Sequence, residues 1–209
     1  MTIRQRLATI VLLTSLVAGG AVAAESGSAQ AAPVAERSAA ATSDVVATTA
    51  SSALAAIGTG TFSARLEDVA DAVAFRLGAD AGRMSQAFAR ADRTHQIALL
   101  SALTQVGVPY HRNASKVGVG FDCSGLTAFA WAQSGVEFAH RSTTQLRNAA
   151  PRTINTAQAG DLVYYPGHVM LWLGIDNLIV HAPQRGRDVE VDEISKRRVK
   201  RVKFGDPTG

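Results

Sequence analysis

Twenty-one Lys and Arg against 17 Asp and Glu give this 209-residue chain a net charge of +4 and a pI near 9.6, and 47% of its residues are hydrophobic. Its one cysteine excludes an internal disulfide, so stability has to come from a buried core. It has no HExxH or CxxC spacing, no Gly-rich phosphate loop and no internal repeat. A zinc peptidase, a phosphate-loop enzyme and a repeat scaffold therefore lack their residues, and no metal or cofactor is expected.

Arg4 and Arg6 precede the apolar run Leu7 to Val17, and Ala21-Val22-Ala23-Ala24 supplies small residues for cleavage. Residues 1–24 thus read as an export signal removed near Ala23 or Ala24. The run falls short of the ~20 residues of a spanning helix, which predicts a secreted protein with no stable membrane anchor after cleavage, an uncleaved anchor being the alternative. Residues 25–60, dominated by Ala, Ser, Thr and Gly without an apolar period, read as linker, with the Ala-rich piece around Ala47 to Ala56 open to partial helix.

In the stretch from Phe62 to Ala91, Leu66, Val69, Ala70, Val73 and Leu77 recur at spacings of three and four before Gly78, predicting a helical extension over residues 61–92. Residues 93–209 suffice for one domain with a core. A helix is predicted from Gln96 to Gln105, ended by Gly107 and Pro109. A second starts at Cys123, with Leu126, Phe129 and Ala130 on its inner face and Gly135 as its stop. Strands follow at 161–165, 168–173, 178–182 and 188–191, with a fifth at 199–204. Helices first and antiparallel strands after make an α+β domain with a sheet of about five strands.

Cys123 stands in Asp122-Cys123-Ser124-Gly125 at the start of the second helix. Unpaired N–H groups and the positive dipole end favour thiolate there, and with an imidazolium nearby can bring a pKa of ~8.5 down to ~3.5–7.5. A lone cysteine in an apolar helix is otherwise a small core residue, a reading that the polar neighbours Asp122 and Ser124 oppose. His168 lies in Gly167-His168-Val169-Met170-Leu171-Trp172, and His181 in Leu178-Ile179-Val180-His181-Ala182. A four-residue turn over 174–177 would set His168 opposite Pro183 and His181 opposite Met170. Both imidazoles would then share a face, one diagonal step of ~7–8 Å or less apart, whereas an odd-length loop would part them.

One thiol and two imidazoles make a nucleophile, a base and an orienter, with a structural His181 as the alternative. Asp122 fits an N-cap, Tyr110 a ring packed where a helix ends, and Arg141 either a solvated charge or a clamp on a carboxylate.

The order Cys, His, His with these flanks resembles the NlpC/P60 family of bacterial cell-wall peptidases. Matching segments are Val106-Gly107-Val108-Pro109-Tyr110, Phe121 to Leu126, Arg141 to Gln145, Gly160 to Tyr165 and the two histidine strands, over roughly residues 93–191. The resemblance implies a papain-like α+β fold and hydrolysis of the γ-D-glutamyl to diamino-acid bond of peptidoglycan stem peptides. It implies Cys123 as nucleophile, His168 as general base and acid, and His181 as the polar third member that fixes the tautomer of His168. The Cys123 backbone N–H and the Tyr110 hydroxyl become oxyanion donors, while Asp122 and Ser124 bind the stem peptide near its glutamyl unit.

This chain departs from the family pattern in residues 111–120, which replace a short aromatic and glycine-rich stretch, and in Ala159, where a proline often stands. Peptidoglycan or its muropeptides are the expected partners. The basic run Lys196, Arg197, Arg198, Lys200, Arg201 and Lys203 suits anionic wall polymers rather than nucleic acid, or is simply a solvated face. The same residues would also serve a papain-like amidase or acyltransferase on another amide, or persist in an inactive wall-binding module.

Overall fold

A computed structural model describes residues 44–209. Aspartates open most of its helices, because a carboxylate can accept from the unpaired N–H groups of a first turn. Asp44 caps α1 (Val45–Ala55), Asp80 caps α3 (Ala81–Arg90) and Asp92 caps α4 (Arg93–Leu103). Between them α2 (Phe62–Leu77) ends at Gly78, whose φ of 63° is the left-handed conformation that glycine adopts without strain. A small ladder, β1 (Ser115–Lys116) with β2 (Gly120–Phe121), leads into α5 (Cys123–Ala132), and α6 (Ser142–Asn148) follows.

The main sheet holds six antiparallel strands: β3 (Ala150–Arg152), β4 (Leu162–Tyr165), β5 (His168–Trp172), β6 (Leu178–His181), β7 (Glu190–Glu193) and β8 (Lys203–Asp206), with the short helix α7 (Lys196–Val199) before β8. Their order in space is β3-β8-β4-β5-β6-β7. Because side chains alternate along a strand, the sheet has two distinct faces. Leu162, Val169, Leu171 and Val180 join the helices in the main core, where Leu99, Leu103, Leu126 and Ala130 are fully buried. Val163, Met170, Trp172 and Ile179 form a second cluster with Ile194, packed by Val199, Val202 and Phe204.

Several expectations change. The export signal at residues 1–24 and the first part of the 25–60 linker lie outside the described residues. The later part of that segment is helix rather than linker: Val46, Ala50 and Ala53 of α1 are buried in the main core. Alanine has the highest helix propensity, and its small side chain lets helices approach closely, although it registers as a weak apolar signal. The 62–91 stripe divides at Gly78 into α2 and α3, and both share the core of the following segment.

The fifth strand forms at 203–206, after a helical turn at 196–199, and inserts between β4 and a sixth strand at 150–152. The 188–191 strand begins at Glu190. Among the described residues no helix is long and apolar enough to cross a membrane.

Candidate active site

Asp122 caps α5 with a fully engaged carboxylate. Oδ1 accepts from Gly125 N–H at 2.7 Å and from the Ser124 hydroxyl at 3.1 Å, and lies 2.7 Å from His140 Nε2; Oδ2 accepts from Asn113 N–H at 2.8 Å. Asp122 and Ser124 are both buried, so their polar atoms organise the helix start. Gly125 has to be glycine, because a Cβ there would come 2.0 Å from the Ala114 carbonyl oxygen. Buried Gln145 on α6 donates to the Ser124 carbonyl at 2.8 Å and accepts from Thr127 Oγ1 at 2.6 Å, locking the first turn that carries Cys123.

Cys123 is half-buried against the first residues of β5. Burial pushes its thiol above the usual range and the Asp122 charge adds to that, against the lowering effect of the Val169 and Ser124 backbone N–H groups. The expected thiolate is therefore not the resting form, since desolvation outweighs the helix terminus.

The turn over residues 174–177 has the even length expected, with Leu171 opposite Val180, Trp172 opposite Ile179, and Leu173 N–H donating to Leu178 O at 2.9 Å. His168 and His181 consequently share a face, and His168 Nε2 lies 2.8 Å from His181 Nδ1. Burial holds His168 at about pKa 3, assisted by the His181 and Arg198 charges, and His181 at about 4, assisted by Arg187 and Arg198. Both imidazoles are neutral at physiological pH. No hydrogen bond joins Cys123 Sγ to His168 among the described residues; the thiol instead meets the Val169 N–H, one residue along.

Tyr110 is half-buried, its phenol raised by burial and by the charges of Asp122 and Cys123, which places the hydroxyl in the electrostatic neighbourhood of the thiol.

Residues 107–206 match the NlpC/P60 family. Over 172 residues the chain is 32% identical to a "Probable endopeptidase" of Corynebacterium glutamicum, a match covering 80% of this chain and 81% of that one. The chain belongs to the NlpC/P60 family. Mycobacterium tuberculosis has a relative, also named "Probable endopeptidase", 38% identical over 94 residues, 44% of this chain and only 24% of that longer protein. A "Gamma-D-glutamyl-L-lysine dipeptidyl-peptidase" of Bacillus cereus is 33% identical over 94 residues, 41% of this chain and 28% of that one. The chain thus spans about a quarter of the length of these two relatives.

Within this NlpC/P60 domain, Tyr110 feels the charge of Cys123, Cys123 lies beside the Val169 backbone of β5, and His168, the residue before Val169, contacts His181 of β6. Arg141 is exposed at the start of α6 and makes no ion pair among the described residues. Sequence reasoning missed Gln145, His140 and Glu190. Gln145 was legible as part of a family segment, whereas His140 reaches Asp122 only through the loop between α5 and α6. Glu190 stands opposite His181 across β6 and β7, with its Oε1 3.3 Å from His181 Nε2.

Two groups combine histidine with carboxylates: His95, Asp161 and Asp206, and His181, Glu190 and Asp192. In each an arginine already faces the carboxylates, Arg152 on Asp206 and Arg187 on Glu190.

Proposed function

We propose that this NlpC/P60 chain is an exported cysteine endopeptidase acting on peptidoglycan stem peptides. What supports the reading is a helix-start thiol beside the backbone N–H of Val169, the residue after His168, whose buried, neutral imidazole lies 2.8 Å from that of His181. His168, neutral, accepts the thiol proton as Cys123 Sγ attacks the scissile carbonyl carbon; His181 holds the ring. Hydrogen bonds of this kind are often incomplete before substrate is bound.

The oxyanion draws on the Cys123 N–H and the Tyr110 hydroxyl. Collapse of the tetrahedral intermediate expels the amine, which takes the proton back from His168. Water activated by the same imidazole then releases the acid and restores the thiol. The γ-D-glutamyl to diamino-acid bond is the favoured target, supported by the name of the Bacillus cereus relative, a gamma-D-glutamyl-L-lysine dipeptidyl-peptidase. Arg141, exposed and free of ion pairs among the described residues, is available to a substrate carboxylate. Lys196, Arg197, Lys200, Arg201 and Lys203 project from α7, the link after it and the start of β8 as exposed cations suited to anionic wall polymers, and the site of action is outside the cytoplasm after loss of residues 1–24.

Mass spectrometry of purified muropeptides incubated with the protein tests the proposal. We expect cleavage on the carboxyl side of the γ-linked glutamate, abolished in Cys123→Ala with folding intact, and lowered by ~10²–10⁴ in His168→Ala. Turnover by Cys123→Ala would overturn the mechanism. Cysteine-dependent release from a different amide would replace the bond assignment and point to the amidase reading, and no turnover from folded wild type would favour a wall-binding module.

A further inference from the structure

His181 stands directly opposite Glu190 in the β6–β7 ladder, and Asp192 lies two residues further along β7 on the same face. His181 Nε2 is 3.3 Å from Glu190 Oε1 and 3.8 Å from Asp192 Oδ2. Arg187, in the loop leading into β7, contacts the same Glu190 oxygen and lies 3.6 Å from Asp192 Oδ2. The Arg187 carbonyl in turn accepts from Tyr110 N–H at 2.9 Å, tying this loop to the opposite side of the site.

An ionised carboxylate only accepts, so the nitrogen facing Glu190 must carry a proton. A neutral imidazole has one N–H, which leaves His181 Nδ1 bare and able only to accept. The 2.8 Å contact with His168 Nε2 therefore requires that nitrogen to donate. His168, neutral as well, is left with a bare Nδ1 as its basic atom.

We infer that Glu190, held by Arg187, is a positioning residue that sets the tautomers of both imidazoles and makes Nδ1 of His168 the base. The inference rests on the reading of Cys123 and His168 as nucleophile and base. Without the carboxylate, the two neutral rings have a second arrangement, in which His181 Nδ1–H donates to His168 Nε2. The single proton of His168 then sits on Nδ1, which has no lone pair left to take the proton of the thiol.

Arg187 adds a second effect. The groups facing His181 are His168 from β5, Glu190 and Asp192 from β7, Arg187 from the loop and Arg198 from α7. By balancing the two carboxylates, the guanidinium lets Glu190 accept a hydrogen bond from His181 without converting it to imidazolium.

Glu190→Gln keeps an oxygen able to accept from both Arg187 and His181, whereas Glu190→Ala removes it. Nitrogen-15 NMR of the full chain reads the ring tautomers directly, and steady-state kinetics on a muropeptide and melting temperature accompany it. In wild type the His168 Nδ1 resonance should have the shift of a bare nitrogen; in Glu190→Ala it should move toward a protonated value.

Outer partners that fix the tautomer of metal-bound histidines contribute about 10–100-fold, and by the same orienting effect kcat in Glu190→Ala should fall by that factor with KM within about twofold, and Glu190→Gln should recover most of it. An unchanged Nδ1 shift in Glu190→Ala overturns the inference, as does equal loss of kcat in the Ala and Gln variants. If Glu190→Ala does not fold, Arg187→Gln replaces it: the freed carboxylates should favour imidazolium at His181 and move the acid limb of kcat/KM upward in pH, and an unmoved limb counts against the inference. Hydrolysis that survives Cys123→Ala would instead sink the peptidase reading, whatever the ring shifts show.

Discussion

At the residue scale, the site is governed by desolvation. A thiol and two imidazoles removed from water are each pushed toward their neutral forms, so Cys123 rises while His168 and His181 fall to about 3 and 4. Under the proposed cysteine mechanism, the ionisation that starts the reaction is a proton transfer during attack rather than a standing thiolate–imidazolium pair. A pH dependence follows. If His168 is the base, as proposed, it has to be neutral, and kcat/KM should stay level from pH 8 down to about 5, with its acid limb near the depressed imidazole values rather than near the ordinary ~6.5. Stopped assays across pH 3–9 check this, and an acid limb centred near 6.5 would mean that the imidazoles are solvated in the working enzyme.

At the scale of elements, α1 is the part of the fold with the weakest sequence signal and a clear structural role. Asp44 caps it and also receives Arg76 Nη1 from α2 at 2.6 Å, while Val46, 1% exposed, enters the main core. Val46→Ala removes two buried methyl-sized groups at ~0.8 kcal/mol each, about 1.5 kcal/mol in all. For a unit of this size that lowers the melting temperature by roughly 3–6 °C. Calorimetry on the single variant measures it, and an unchanged melting temperature would return α1 to the status of a linker.

Helix α5 shows the opposite case. Its start at Cys123 and the positive φ of 88° at Gly135 beyond its end follow from local signals, an Asx cap and a glycine, that need no tertiary partner.

For the molecule as a whole, the buried histidines pull stability in opposite directions with pH. His95, fully buried, has Nε2 3.0 Å from Asp161 Oδ1 and 3.3 Å from Asp206 Oδ1, and Nδ1 2.9 Å from Asp92 Oδ2, joining α4 to the sheet. Burial alone would lower its pKa, but the hydrogen bond to Asp161 and the adjacent Asp92 carboxylate outweigh it and the net shift is upward.

A raised folded value means that His95 contributes fully below the unfolded value of about 6.5 and loses that contribution as pH rises through its folded value. His168 and His181 are depressed, so their share is present above about 6.5 and is lost as pH falls toward 4 and 3. Replacing His95 by Gln should therefore lower the melting temperature most at pH 5–6, with the gap to wild type narrowing as pH rises. Melting curves over pH 5–10 decide it; a gap that does not change with pH would show that His95 is held neutral.

What the sequence by itself determined was local or periodic. The stripe of α2, the cap and start of α5, and the even turn that puts His168 and His181 on one face all arise within a few residues of chain. Tertiary structure decided what depends on distant segments. The eight residues between His181 and Glu190 permit several registers, and only the formed ladder sets Glu190 opposite the imidazole. His140 reaches Asp122 across 18 residues, and β8 enters between β3 and β4 from the far end of the chain. The thiol's protonation was misjudged for the same reason: a helix terminus is visible in four residues, but burial, the larger effect on Cys123, exists only once other elements have covered it.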